Sequence, residues 1–131
     1  MTGGVYVDSS ALVKLVAVEA ESSALVAHLE GHPVQIASSI VIVELVRSLG
    51  RRAGVDVARA FAIIDHLELV DVDRRILDRA AGLAPAELRS LDAIHLATAI
   101  EVRGSVDAVV TYDARLGAAA RVHGFTVIAP A

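Results

Sequence analysis

The chain has 131 residues, a formal net charge of −4, 55% hydrophobic and 3% aromatic residues, and no cysteine. This length suits one core, so we predict a single domain over residues 1–131. The lack of cysteine excludes disulfides and thiolate metal sites. No apolar run reaches the roughly 18 residues of a membrane span and no secretory signal opens the chain, so we expect a cytoplasmic protein without a membrane partner.

Short apolar segments alternate with segments of helical period along the whole chain. Turn-forming residues separate them, including Gly31, Gly54, Gly82 and Gly124. Strands are predicted at about 5–7, 34–37, 67–72, 106–111 and 125–128. Helices are predicted at about 9–19, 21–30, 39–52, 55–66, 74–81, 90–102 and 116–122.

The segment 39–52 is ambiguous because it is rich in β-branched residues, which favour strands. We predict a helix there, since Ser38 and Ser39 are good caps, the apolar stretch continues to Leu49, and Gly54 supplies a stop. The alternation of strands and helices then implies parallel strands joined by right-handed crossovers. The predicted fold class is α/β, a three-layer α/β/α sandwich with a five-stranded parallel sheet.

Two acids follow predicted strands directly. Asp8 comes after the first strand and Asp113 after the fourth. In an α/β sheet, ligands bind beyond the carboxyl ends of the strands where the strand order reverses. If the order reverses between strands one and four, both carboxylates reach one crevice. The alternative is that each acid only caps the helix that follows it.

Two further acids lie in helical segments. Glu44 has apolar neighbours, which makes its burial costly unless it is paired or bound to metal, although a surface pair with Arg47 is the alternative. Asp92 falls in the first turn after Ser90, the expected N-cap, where the helix dipole alone favours an acid. His95 shares the face of Asp92, and we interpret it as a hydrogen-bonded histidine near the site.

Four acids in one place would repel one another without a counter-ion. Oxygen ligands select hard cations, namely Mg²⁺, with Mn²⁺ as the other candidate. The four carboxylates would carry the whole net charge of −4, so an acidic chain remains compatible with RNA. Candidate phosphate contacts are Arg47, Arg51, Arg52, Arg89 and Arg115.

These acids stand in an ordered set of motifs that resembles the PIN-domain ribonucleases. Residues 7–12 are similar to the family's opening motif, 39–45 to its second, 91–99 to its third, and 110–113 with 124–125 to its fourth. The likeness runs from residue 5 to 128, and the small size most resembles the VapC-type toxins of toxin–antitoxin pairs.

The resemblance implies a five-stranded parallel sheet and a Mg²⁺- or Mn²⁺-dependent endoribonuclease that cuts RNA, often tRNA or rRNA. It also implies a homodimer and a cognate VapB-type antitoxin whose tail blocks the site. The acidic positions of the family, catalytic and metal-binding, fall on Asp8, Glu44, Asp92 and Asp113. Its supporting hydroxyl positions fall on Ser10 and Thr111.

Other classes fit less well. A response-regulator receiver needs an acidic pair after strand one and a lysine on strand five, but Ser9 follows Asp8 and residues 125–128 contain no lysine. A haloacid-dehalogenase phosphatase needs a second aspartate where Ser10 stands. A non-catalytic RNA- or protein-binding module with the same fold, and a housekeeping RNA-processing nuclease, stay open at this point.

Overall fold

A computed structural model describes residues 3–52 and 54–131. Within these ranges the strands are β1 (Val5–Val7), β2 (Gln35–Ser38), β3 (Glu68–Val70), β4 (Ala108–Val110) and β5 (Val127–Ile128). The α-helices are α1 (Ser9–Val16), α2 (Ser22–Glu30), α3 (Val41–Gly50), α4 (Val57–Asp65), α5 (Arg74–Ala81), α6 (Ser90–Glu101) and α7 (Ala114–Val122). In this part of the chain no helix is long and apolar enough to cross a membrane.

The five strands form one parallel sheet in the order β3-β2-β1-β4-β5. The central strand β1 pairs with both β2 and β4, so that Tyr6 lies opposite Ile36 on one side and Val109 on the other. From β1 the chain therefore adds β2 and β3 on one side of the sheet and then returns to add β4 and β5 on the other side. This reversal between β1 and β4 confirms the predicted condition for a crevice at their carboxyl ends.

Alternate side chains of the strands enter two separate cores. On one face Val5, Val7 and Val110 pack with residues of α1 to α4, among them Leu12 and Leu45. On the other face a second cluster joins the sheet to α6 and α7; its buried members include Tyr6, Ile36, Val109, Leu96 and Leu116. Helices thus cover both faces, which confirms the predicted three-layer α/β/α sandwich.

The ambiguous segment is helical, as predicted, but the cap assignment to Ser38 and Ser39 was wrong, because Ile40 is the N-cap and no side chain caps the helix. In α3 the residues Val41, Leu45 and Leu49 are fully buried, whereas Val43 is 60% exposed. The spacing of four matches one face of a helix, and a strand would have buried alternate residues instead. Burial against the sheet therefore outweighs the strand preference of the β-branched side chains.

Candidate active site

The four predicted acids converge on one cleft at the carboxyl ends of β1 and β4. The cleft has a volume of about 340 Å³. It is lined by Asp8, Ser9, Ser10, Glu44, Arg89, Ser90, Leu91, Asp92, His95 and Asp113. Residues separated by more than a hundred positions thus face the same space.

Asp8 caps α1 and also faces the cleft. Its Oδ1 accepts hydrogen bonds from the Ala11 N–H at 3.1 Å and from the Ser10 hydroxyl at 2.7 Å. Its Oδ2 accepts one from the Thr111 hydroxyl at 2.6 Å. The residue is 3% exposed, and this burial raises the pKa of the Asp8 carboxyl although the hydrogen bonds oppose the shift. The capping and site interpretations of Asp8 are therefore compatible.

Thr111 connects the two acids that follow strands. Its hydroxyl donates to Asp8 and accepts from the backbone N–H of Asp113 at 3.0 Å. Asp113 in turn caps α7, because its Oδ1 accepts from the N–H groups of Arg115 and Leu116. This cap starts α7 at Ala114, two residues before the predicted start. Both expected supporting hydroxyls, Ser10 and Thr111, thus contact Asp8.

We predict that Thr111→Val lowers the free energy of unfolding by about 1–3 kcal/mol at pH 7, since a buried carboxylate oxygen would lose its donor. Urea denaturation of the metal-free protein measures the effect. Thr111→Ser is the matched control, because it keeps the hydroxyl, and it should lose less. A valine variant as stable as the wild type would contradict the assigned role of the hydroxyl.

Glu44 is held by a histidine rather than by the arginine considered from the sequence. The Nε2 of His95 lies 2.7 Å from Glu44 Oε1, and the Nδ1 lies 2.7 Å from the Tyr6 hydroxyl. His95 is 1% exposed. Its two hydrogen bonds confirm the interpretation of His95 as a hydrogen-bonded histidine near the site. The surface pair of Glu44 with Arg47 is not formed, so that alternative was wrong.

Tyr6 does not line the cleft, but it contacts His95, and sequence reasoning missed it. It is 1% exposed, and burial, with Asp8 nearby as the next cause, raises its pKa well above the usual value. Its phenol therefore stays neutral near pH 7 and can donate a hydrogen bond. The available signal was a tyrosine in an otherwise aliphatic central strand, since a buried hydroxyl needs a partner.

Asp92 lies in the first turn of α6, as predicted, but the N-cap assignment was wrong by one residue. Arg89 occupies the N-cap position and Ser90 is already helical. Burial raises the pKa of Asp92, and the nearby Asp113 carboxylate is the next largest cause. Asp8 and Glu44 raise it further, while His95 opposes them. The cleft is therefore a place of concentrated negative potential.

A divalent cation fits the chemistry of this cleft. The acids offer only oxygen donors, which hard cations prefer. Burial raises the pKa of Asp92 most, and the Asp113 carboxylate is the next cause; a cation would relieve that second, repulsive contribution. Among the residues that the structure describes, however, no three Asp, Glu or His side chains are grouped tightly enough to form a ready-made metal site. The carboxylates of Asp8, Glu44, Asp92 and Asp113 are the groups that would hold such an ion.

Two of the five candidate phosphate-binding arginines lie at the cleft. Arg89 and Arg115, with Asp92, Asp113 and Ala114, line an adjoining cleft of about 310 Å³. Arg47 lies on α3, and Arg51 and Arg52 follow it; all three are outside the residues that line either cleft. Positive charge is thus placed beside the acids.

Comparison with known proteins agrees with this geometry. The family model described as "PIN domain" matches residues 5–128. The chain belongs to the PIN domain family. This confirms the resemblance drawn from the ordered motifs, and it leaves no place for the receiver and phosphatase alternatives.

Curated relatives of this PIN domain include two proteins of Mycobacterium tuberculosis. "Ribonuclease VapC46" is 45% identical, with 96% of this chain and 97% of that protein covered. "Ribonuclease VapC35" is 39% identical, with 96% of each covered. The PIN domain described here therefore matches these relatives over nearly their entire length.

Solved structures share the fold at lower identity. VapC20 of M. tuberculosis, described as a sarcin-ricin loop cleaving toxin, superposes with a TM-score of 0.73 at 18% identity, covering 96% of this chain and 99% of that chain. A toxin–antitoxin complex from Klebsiella pneumoniae gives a TM-score of 0.74 at 22% identity, covering 97% and 98%. The PIN domain fold of this chain is thus the same as theirs.

Proposed function

We propose that this PIN domain is a divalent-metal-dependent endoribonuclease that hydrolyses RNA phosphodiesters and acts as the toxin of a toxin–antitoxin pair. The observation that carries the proposal is the convergence of Asp8, Glu44, Asp92 and Asp113 on one cleft where the strand order reverses. The names of the relatives, ribonucleases VapC46 and VapC35, support the substrate and the class.

Mg²⁺ or Mn²⁺, when bound, would lower the pKa of a water molecule and stabilise charge on the phosphate. Asp8, Asp92 and Asp113 are the proposed metal ligands. Asp8 is the central one, because three hydrogen bonds fix both of its oxygens. Glu44 is proposed to ligate or to orient the attacking water.

Arg89 and Arg115 are proposed to bind the RNA backbone beside the scissile phosphate. Both are exposed and line the cleft next to Asp92 and Asp113. Guanidinium groups match phosphate oxygens in geometry and charge. With 3% aromatic residues in the chain, recognition of a folded RNA such as tRNA or rRNA fits better than base stacking. We expect the protein to act on such RNA in the cytoplasm.

A cognate VapB-type antitoxin is the proposed protein partner, and a homodimer the proposed active form. Structures that share this fold include the Klebsiella pneumoniae toxin–antitoxin complex and VapBC2 from Rickettsia felis, so the fold occurs in such pairs. An antitoxin tail that carries positive charge would complement the acidic cleft. Co-expression with the product of a small adjacent reading frame tests this pairing.

We expect the purified chain to cut RNA at a small number of positions in Mn²⁺ or Mg²⁺, and not in EDTA. Added Mn²⁺ should also raise the melting temperature, since a ligand at 100 times its dissociation constant adds about 2.7 kcal/mol to the free energy of unfolding. RNA sequencing of new 5′ ends, in vitro and after expression in a bacterium, identifies the cut. Growth arrest with one dominant cut indicates a toxin, and cleavage without arrest indicates a processing nuclease.

Cleavage that persists in EDTA would contradict the metal-dependent mechanism. RNA binding without cleavage in any divalent metal would favour the non-catalytic module. Contaminating nuclease is the main risk, and a preparation of Asp8→Asn made in parallel controls for it.

A further inference from the structure

A chain of hydrogen bonds runs from the apolar core to the cleft. Tyr6 lies on β1 among buried aliphatic side chains, and its hydroxyl contacts His95 Nδ1 at 2.7 Å. His95 Nε2 contacts Glu44 Oε1, also at 2.7 Å. The two rings meet edge-on, with centroids 6.0 Å apart and planes at 75°. The buried pair thus ends on a carboxylate that lines the cleft.

The direction of these hydrogen bonds follows from the groups involved. A carboxylate only accepts, so Nε2 of His95 carries the hydrogen that Glu44 receives. In the neutral imidazole Nδ1 is then an acceptor, and the Tyr6 hydroxyl donates to it. The hydroxyl therefore favours the tautomer with the hydrogen on Nε2, which donates to Glu44. In functional histidines the hydrogen bond at one ring nitrogen commonly fixes the state of the other.

Glu44 is anchored differently from Asp8 and Asp113, the two acids that follow strands. Asp8 and Asp113 are anchored because their oxygens accept backbone N–H groups at the starts of α1 and α7. Glu44 has a longer side chain, and in the described part of the chain its one recorded hydrogen bond is the one from His95. Without that bond the side chain could turn towards solvent.

The Tyr6 hydroxyl also needs an explanation, because phenylalanine would fill the same core volume at no polar cost. Tyr6 packs with Ile36, Leu96 and Val109, and the backbone of Ser38 and the Thr98 side chain are also neighbours of its hydroxyl. A buried polar group is costly unless it is hydrogen-bonded. The contact with His95 Nδ1 at 2.7 Å supplies a bond in which the hydroxyl donates.

We propose that Tyr6 and His95 are positioning residues that hold Glu44 towards the cleft and thereby set the affinity of the site for a divalent cation. The inference rests on the proposed function, since it assigns to Glu44 a role towards the metal. Groups that hydrogen-bond to metal ligands commonly change metal affinity or activity by about 10- to 100-fold when removed.

The first test compares two tyrosine variants. Tyr6→Phe should weaken Mn²⁺ binding, measured by isothermal titration calorimetry, by about 10-fold. Tyr112→Phe is the matched control, because it loses a hydroxyl that donates to the Pro130 carbonyl at 2.6 Å. The control should bind Mn²⁺ as the wild type does. Equal Mn²⁺ affinity in Tyr6→Phe and the wild type would overturn the role of Tyr6.

The second test separates the two ends of His95 and does not depend on Tyr6→Phe folding. The amide of His95→Gln can reach Glu44 in place of Nε2, whereas His95→Asn is too short and can meet only Tyr6. The glutamine variant should therefore retain more Mn²⁺ affinity than the asparagine variant. Equal affinities in the two variants would overturn the proposal.

A double-mutant cycle shows whether His95 acts through Glu44. If it does, His95→Asn should cause little further loss of Mn²⁺ affinity in a Glu44→Gln background. A full additional loss would indicate a structural role for His95 and would overturn the inference. A wild-type chain that neither binds Mn²⁺ nor cuts RNA would instead mean that the proposed function itself has failed.

Discussion

Asp8→Asn should reduce the rate of RNA cleavage by about 1,000-fold while leaving the fold intact. The amide cannot replace a carboxylate as the central metal ligand. It can still cap α1, because its oxygen accepts the Ala11 N–H as Asp8 does and asparagine is as good an N-cap as aspartate. Single-turnover cleavage at saturating Mn²⁺ measures the rate, and circular dichroism reports the fold.

Asp56→Asn is the matched control for this variant. Asp56 also caps a helix, α4, where it accepts the Ala58 N–H, but it is exposed and lies outside the residues that line the cleft. Its replacement should leave cleavage unchanged. If Asp8→Asn and Asp56→Asn cut RNA at the same rate, the assignment of the catalytic centre to this cleft is wrong.

Asp92→Asn should also abolish cleavage, and it should change how stability depends on pH. The pKa of Asp92 is raised in the folded protein, first by burial and then by Asp113. In the metal-free protein the folded state therefore binds more protons than the unfolded state between the two pKa values. This carboxyl stabilises the fold fully below its unfolded pKa of about 3.9, and that contribution is lost as pH rises through the folded pKa.

Asparagine cannot ionise, so the variant does not suffer this loss. In EDTA, the melting temperature of Asp92→Asn minus that of the wild type should therefore be higher at pH 7.5 than at pH 4. Saturating Mn²⁺ should lower this difference at pH 7.5, since only the wild type gains the full stabilisation by bound metal. Asp65→Asn, on the last turn of α4, controls for the removal of one carboxylate outside the cleft.

A melting-temperature difference between Asp92→Asn and the wild type that stays constant from pH 4 to 7.5 would contradict the raised pKa of Asp92. Loss of stability with preserved cleavage would contradict its role as a ligand. The two readouts separate an acid retained for its interaction with the helix dipole from one retained for metal binding.

Much of the fold could be predicted because local patterns carry it. The five strands and seven α-helices found in residues 3–52 and 54–131 lie close to the positions predicted from the spacing of apolar residues and from the glycines that interrupt it. The β-branched α3 was predicted from the apolar stretch to Leu49 and the Gly54 stop, and the structure shows that Val41, Leu45 and Leu49 form its buried face. The four acids were found from their motifs, whose order along the chain is specific to the family.

The sequence did not reveal which side chains hydrogen-bond to one another. Thr111 and Asp8 are 103 residues apart yet share a 2.6 Å hydrogen bond, because β4 pairs with β1. His95 contacts Glu44 across 51 residues, in place of the nearby Arg47, because both side chains line the same cleft. The contact of Tyr6 with His95 likewise became visible only in the tertiary structure. Period and turn chemistry act within a few residues, whereas strand order and side-chain partners depend on the burial of apolar surface by the whole chain.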